Sequence, residues 1–400
     1  MLSFVQGWLT PGANPIGVDF GTGSLRLAQV GLAGNEFRLV AAASAEVPPQ
    51  LRDDATARLG FLTQTLRDLL TQSNFHGRRA ILSLPASSMH IQHARLPHLD
   101  EPSLSRALPA AVRGRLPIEP EDALLRHIVA GQVEINGQLR DEVIIIAARR
   151  KLVDELLHAA AKARLDVIAM NVEPKAIVDC FSHVYRRKTD AESTGCYIDI
   201  GSAATRVVIA RGGHILFARI LRIAGDGLNG AVAAALGTNL EDARVLRIKK
   251  QASETRQAEG AWKVTGTASA PEKTCDTEEN DRAALHGQID QACAAPLAEL
   301  IGLLAECRRD HEATFPGSPI DRLIFVGGEA RDQPLCRQIA GALKIPAQVG
   351  DPLVRMARIS DISVESGIDR RSPQPAWTVA IGLSMGPVAA PVEQLHQKAS

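Results

Sequence analysis

Ile16-Gly17-Val18-Asp19-Phe20-Gly21-Thr22-Gly23-Ser24-Leu25-Arg26 returns in altered form at Cys196-Tyr197-Ile198-Asp199-Ile200-Gly201-Ser202-Ala203-Ala204-Thr205-Arg206. Each stretch has a short apolar run, an Asp, a Gly two positions on, a hydroxyl residue next, and an Arg seven positions after the Asp. An apolar run that stops at Gly-rich residues reads as a buried strand entering a turn. Asp-x-Gly by itself is a β-turn signal. Two copies 180 positions apart, with matching flanks, point to two similar halves facing one bound nucleotide.

The repetition extends past the motif. Residues 25–30 read as the hairpin partner of the strand at 16–20, and 36–43 as a third strand beyond a Gly-Asn turn. Leu59, Leu62, Leu66, Leu69 and Leu70 then recur at helical spacing, and a strand at 80–84 stops at Pro85. The second copy repeats this order. Strands are expected at 197–200, 205–210 and 215–220, an Ala-rich helix at 228–237, and a later strand at 322–326.

Between the copies lies a unit of roughly 75 residues with its own pattern. It has extended runs at 89–96, 123–134 and 143–148, and helices at 103–114 and 151–163. A strand at 167–172 and a helix at 174–184 then resume the first half. The expected organisation is a first lobe at 14–87 and 166–192, with 375–387 returning to it. An inserted subdomain takes 88–165 and a second lobe 193–374. Residues 250–283 are rich in Ala, Ser, Thr, Glu and Gly, a composition that buries little, and read as a mobile surface excursion. A long helix is expected over 284–309 and a small-residue helix over 376–383, with the last dozen residues loose.

Composition narrows the class. The chain has 400 residues, 45% of them apolar, enough for sizeable cores. Lys+Arg and Asp+Glu are both 45, which argues against bulk electrostatic binding to nucleic acid or acidic lipid. The six cysteines form no C-x-x-C and fit neither a zinc site nor a disulfide framework, so a reducing compartment is the simplest reading. No apolar run approaches the roughly 20 residues a bilayer span needs. The apolar start at residues 1–9 lacks a positive n-region and reads as a packed or frayed terminus, with membrane or partner contact as the alternative.

Four elements carry the chemistry. Gly21-Thr22-Gly23-Ser24 and Gly201-Ser202-Ala203-Ala204 are turns whose backbone N–H groups can approach phosphate oxygens closely. An Asp before such a loop makes sense as a ligand of Mg²⁺ or of its waters. The third element, Gly327-Gly328 after an apolar run, lets a flat group lie against backbone, or is simply a tight strand–helix turn. The fourth, Asn171-Val172-Glu173-Pro174, starts a helix with Pro at its opening. Glu173 is there either to orient water near a γ-phosphate or as an N-terminal helix charge.

Other motifs were weighed and set aside. Gly225-Asp226-Gly227-Leu228-Asn229-Gly230 spells G-x-G-x-x-G but follows the third strand of a meander, not the first strand of a βαβ unit. It reads as a helix-opening turn at the nucleotide's edge, with Gly225 nearest. No P-loop pattern is present. His90 and His93 would face opposite sides of a strand. Arg247, Lys249 and Lys250 read as a solvated helix end.

Taken together, these elements resemble the actin-like ATPase superfamily, and within it the PilM family of type IV pilus assembly proteins, relatives of the division protein FtsA. The likeness covers roughly residues 14–387 and includes Ser83-Leu84-Pro85, Leu116-Pro117-Ile118, Val172-Glu173-Pro174, Ala224-Gly225-Asp226, Gly327-Gly328 and Ala380-Ile381-Gly382-Leu383. It implies an α/β, actin-like (ribonuclease H-like) duplicated fold with an inserted small α/β subdomain. It also implies ATP with Mg²⁺ between the lobes. Asp19 and Asp199 would hold the metal. Gly21, Thr22, Gly23, Ser24, Arg26, Gly201, Ser202 and Gly225 would surround the phosphates, Gly327 and Gly328 would flank the adenosine, and Glu173 would orient water.

The implied partner is the N-terminal cytoplasmic peptide of a PilN-like bitopic inner-membrane protein, docked in a groove involving the inserted subdomain. The implied place is the inner face of the cytoplasmic membrane, reached indirectly or through the N-terminus, with self-association compatible. An FtsA-like filament protein, a type II secretion platform protein and a small-molecule kinase are the competing implications. Departures from the family pattern are Gly23 in place of a hydroxyl residue, Arg26 in place of Lys, Ala203 and Ala204 in place of polar residues, Glu329 in place of a small one, and Lys175 in a normally apolar place. The resemblance therefore implies the fold and nucleotide binding more firmly than hydrolysis.

Overall fold

A computed structural model describes residues 13–33, 36–52, 54–185, 188–261, 276–357, 368 and 371–386. The expected N-terminal contact at residues 1–9 and the loose C-terminal dozen lie outside them.

The first half is a five-stranded sheet ordered β3-β2-β1-β4-β8, from β1 (Ile16–Phe20), β2 (Ser24–Ala33), β3 (Glu36–Glu46), β4 (Arg79–Ser83) and β8 (Asp166–Asn171). The second half is ordered β11-β10-β9-β12-β13, from β9 (Thr194–Ile200), β10 (Thr205–Arg211), β11 (His214–Leu221), β12 (Arg322–Val326) and β13 (Ala347–Val349). The two sheets match in direction as well as order: the three-strand meander is antiparallel and the two crossover strands are parallel. The motif echo is thus the visible part of a repeated topology.

Helices cover these sheets. They are α1 (Ala55–Gln72), α4 (Glu173–Phe181), the short α5 (Lys188–Glu192), α6 (Gly225–Leu236), α7 (Leu240–Ala261), α8 (Asp276–Thr314), α9 (Gln333–Leu343) and α10 (Thr378–Met385). In α1, Asp54 caps the N-terminus by accepting from the Thr56 and Ala57 N–H groups at 2.9 and 3.0 Å, worth about 1 kcal/mol. Its buried stripe is Leu62, Leu66 and Leu70, each contributing about 1.5–3 kcal/mol on burial. The chain's late return, α10, packs on β1 and α4 with Ala380, Ile381 and Leu383 fully buried. Ser384 Oγ donates to Pro15 O at 2.7 Å and accepts from Val30 N–H at 2.9 Å, fixing α10 to the first sheet.

Between β4 and β8 lies a three-stranded antiparallel sheet, β5 (Met89–Pro97), β7 (Gln138–Arg149) and β6 (Ala123–Ile135), with β7 central. Two helices, α2 (Glu101–Val112) and α3 (Arg150–Lys162), accompany it. Leu104, Leu108 and Val112 of α2 pack with Val143 and Ile145 in a small core of their own. The cysteines among the described residues are free, and Cys180, Cys196, Cys307 and Cys336 are buried.

One expectation changes here. Residues 250–283 do not leave the fold at 250. α7 continues to Ala261 and α8 begins at Asp276, with 262–275 outside the described residues. Nor are Arg247 and Lys250 solvated. Arg247 donates to Asn229 Oδ1 at 2.7 Å and pairs with Glu329 at 2.9 Å, while Lys250 pairs with Glu254 and Asp290. This helix buries ion-paired polar groups, so an apolar count underrates how much of it is covered.

Candidate functional site

The strand register explains the seven-residue spacing. Asp19 on β1 lies directly opposite Arg26 on β2, and Asp199 on β9 directly opposite Arg206 on β10. Each Asp-Gly turn therefore ends in an opposite-charge cross-strand pair. The two turns face each other across the gap between the halves, and a hypothetical Cβ on Gly23 would fall 2.6 Å from Ser202 Oγ. A side chain there would have to displace Ser202, which accounts for Gly23.

The environments of the two pairs differ. Asp19 Oδ1 accepts from Ser83 Oγ on β4 at 3.0 Å. Burial pushes its carboxyl above the ordinary value, against the pull of Arg206 and Arg26. Arg26 itself makes no ion pair or side-chain hydrogen bond among the described residues and lines the cleft. Its pKa is lowered by burial, with Asp19 opposing and the nearby Arg331 adding repulsion. A guanidinium does not deprotonate in a protein, so Arg26 presents an undercompensated positive charge.

Arg206, by contrast, is bound on both sides. Its Nη2 lies 2.9 Å from Asp199 Oδ2 and its Nη1 2.5 Å from Glu173 Oε1 at the start of α4. Burial works against its charge, but Asp199, Glu173 and Asp19 outweigh it and raise its pKa. Glu173 is fully buried, and burial pushes its carboxyl up to about 8 despite Arg206. Three carboxylates thus surround one guanidinium.

The second turn is pinned from behind. The Gly225 N–H donates to Gly201 O at 3.1 Å and the Asp226 N–H to Ser202 O at 2.7 Å. Asp226 also takes Arg52 from the first half at 2.8 Å. A second bridge joins the halves, where Arg244 donates to both carboxylate oxygens of Glu46 at 2.8 Å. Gly327 adopts φ +87°, and a Cβ there would fall 2.3 Å from Asp199 Oδ1. Glycine is therefore required where the strand end crosses the Asp. The Glu329 carboxylate, over Gly225, is held by Arg247.

The structure brings most of the sequence-expected residues together. Asp19, Gly21, Thr22, Gly23, Ser24, Arg26, Asp199, Gly201, Ser202, Gly327 and Gly328 line one narrow nook between the turns. Gly225 sits behind the second turn, and Glu173 lies beneath Arg206; neither lines the nook. The nook shares residues with an outer cavity of about 330 Å³, walled by α7 and the Gly328–Arg331 turn, a volume in the range small-ligand sites occupy. The N–H groups of Thr22, Gly23, Ser202 and Ala203 donate to no acceptor among the described residues.

Sequence reading missed Arg52, Asp226, Glu46 and Arg244, whose pairings span more than 170 positions. It also missed Arg331, which lines the outer cavity and, among the described residues, donates from its side chain to Gln374 at 3.0 Å. Arg206 was visible in the echo, but its bridge was not. The donor set does not suit a divalent cation. Asp199 and Glu173 each spend one oxygen on Arg206 and Asp19 one on Ser83, which leaves none of these carboxylates with both oxygens open.

A family model described as type IV pilus assembly protein PilM matches residues 17–259. The chain belongs to that family. A second model, cell division protein FtsA, matches residues 196–382, so the second half also carries this relationship. Among solved structures, the chain is similar to one titled PilM-PilN type IV pilus biogenesis complex. That likeness has 20% identity and a TM-score of 0.70, over 94% of this chain and 99% of the other. It is also similar to the ethanolamine utilization protein EutJ from Carboxydothermus hydrogenoformans, at 15% identity and TM-score 0.51, over 94% and 90%. The fold is the actin-like α/β fold that the paired motifs imply.

Proposed function

We propose that this PilM-family protein is an adaptor of a type IV pilus assembly platform that holds ATP between its two halves. The cleft carries this reading. Two backbone turns with free N–H groups face each other beside Arg26 and Arg331, neither of which makes a salt bridge among the described residues, and open into a cavity large enough for a nucleoside. Such N–H concavities and arginine forks suit phosphate oxygens. Gly327 and Gly328 border the nook and Gly328 also the cavity, as a flat base or sugar requires.

The nucleotide's role in this reading is conformational. It touches both halves, so occupancy biases how closely they approach. Glu173 does not suit a water-activating role, because Arg206 holds it and its carboxyl retains a proton up to about pH 8. The magnesium implied by the family does not fit the donor set, and no step is assigned to it.

The partner would be the cytoplasmic N-terminal peptide of a PilN-like membrane protein, reached at the inner face of the membrane. No helix among the described residues is long and apolar enough to cross a bilayer. A groove of about 880 Å³ between β5, the end of α2 and the β11–α8 side of the second half supports this place. β5 is an edge strand of the inserted sheet, and Ile91, Ala94, Leu96 and Phe217 offer apolar contacts there. An extended peptide could add to such an edge.

The test is calorimetric titration of ATP and ADP into the whole protein, followed by titration of the partner peptide with and without nucleotide. Saturable nucleotide binding that shifts peptide affinity is expected. No nucleotide binding under any condition would sink the reading.

A further inference from the structure

We infer that the cleft binds the polyphosphate chain of its nucleotide without a divalent cation, Arg206 standing as a built-in cation and Arg26 and Arg331 taking phosphate oxygens. This rests on the nucleotide reading above and specifies the chemical form of the ligand: the free di- or triphosphate, not its magnesium complex.

Mg²⁺ needs near-octahedral oxygen donors at about 2.0–2.1 Å and is usually held by one or two carboxylates and waters. Each carboxylate here already spends one oxygen on the protein. Asp199 Oδ2 and Glu173 Oε1 accept from Arg206, and Asp19 Oδ1 accepts from Ser83. Asp199 Oδ1, buried and without a hydrogen-bond partner, is pressed against Gly327, where not even a Cβ would fit. A dication at this place would also sit beside a permanently charged guanidinium in a buried site, and like charges repel most where water is excluded. Arg206 already neutralises Asp19 and Asp199 in part, which is what a metal would otherwise do.

The phosphate charge must then be met by the protein. Arg26 and Arg331 are close enough to repel one another, and neither makes a salt bridge among the described residues. Two such arginines flanking free N–H groups form the complement of a multiply charged anion. The structure thus separates two tasks that a metal ordinarily combines. Arg206 holds the carboxylates, and the cleft arginines hold the phosphates.

The experiment is titration of ATP into the wild-type protein, once in EDTA and once in excess Mg²⁺. Binding in EDTA at least as tight as in Mg²⁺ is expected. Saturable binding that is lost or weakened about tenfold or more in EDTA overturns the inference and leaves the nucleotide reading intact. No binding in either medium overturns both. Arg26→Ala, whose side chain makes no ion pair or hydrogen bond among the described residues, should weaken binding in EDTA about tenfold or more, as loss of a charge-assisted contact does. An unchanged affinity would overturn the assignment. Arg206→Gln should convert the site to Mg²⁺-dependent binding, and equal affinity in both media would show that Arg206 does not replace the metal. Where that variant melts far below the wild type, the wild-type and Arg26→Ala arms decide.

Discussion

Arg26 and Arg206 occupy the same register position in two copies of one strand–turn–strand unit, yet one faces an open cleft and the other is clamped between two acids. The difference originates outside the repeated unit. Glu173 lies two residues past β8, and its carboxylate crosses to the other half and takes Arg206. The corresponding place in the second half, two residues past β13, is Asp351. Its Oδ1 accepts instead from the Leu353 and Gln374 N–H groups at 3.1 and 3.3 Å. A repeated backbone thus sets where the arginines emerge, and a single crossing carboxylate decides which becomes structural and which stays available to a ligand.

The sharpest way to break this asymmetry is to remove the clamped side. Arg206→Ala would leave the Asp199 carboxylate buried without its counter-charge, and removing one partner of a buried pair costs about 3–5 kcal/mol, readable by urea denaturation. A loss below about 1 kcal/mol would mean that the bridge is solvated and the contrast false.

Glu173 gives the same contrast through pH. In the folded chain it keeps its proton up to about 8, whereas the unfolded chain releases it near the ordinary 4.5. Between those values the folded state binds more protons, so stability falls as pH rises. The wild type should therefore lose melting temperature relative to Glu173→Gln from pH 5 to pH 8. Parallel profiles would show that the carboxyl is not raised.

The turns themselves can be swapped. Gly23→Ser should cost about 1–3 kcal/mol by forcing the new Cβ onto Ser202, and Gly23→Ser with Ser202→Gly should recover most of it. Additive losses would mean that the turns do not touch. At the rim, Arg244→Ala should change stability by no more than about 1 kcal/mol, because the Arg244–Glu46 pair is largely exposed.

How much of this was legible depended on range and burial. The two sheets were readable because alternating or continuous apolar runs, Gly turns and the Asp–Arg spacing are local signals, and the meanders came out within a few residues at each end. α7 was not readable past residue 250. Its covered side is built from Arg247 and Lys250 in ion pairs, which in sequence look like a solvated end. The clustering of Asp19, Gly21, Gly201 and Gly327 on one cleft followed from the motifs. The Arg206–Glu173 bridge did not, because it joins different halves and depends on the turn that places Glu173. The interhalf pairs Arg52–Asp226 and Arg244–Glu46 carry no local signature at all.

The most direct test of the central claim is to measure Arg26→Ala against the wild type for both unfolding free energy and ATP affinity in EDTA. An arginine kept for a ligand predicts unchanged or slightly raised stability and an affinity lower by about tenfold or more. A variant that loses stability as Arg206→Ala does, while binding ATP as tightly as the wild type, would contradict the account.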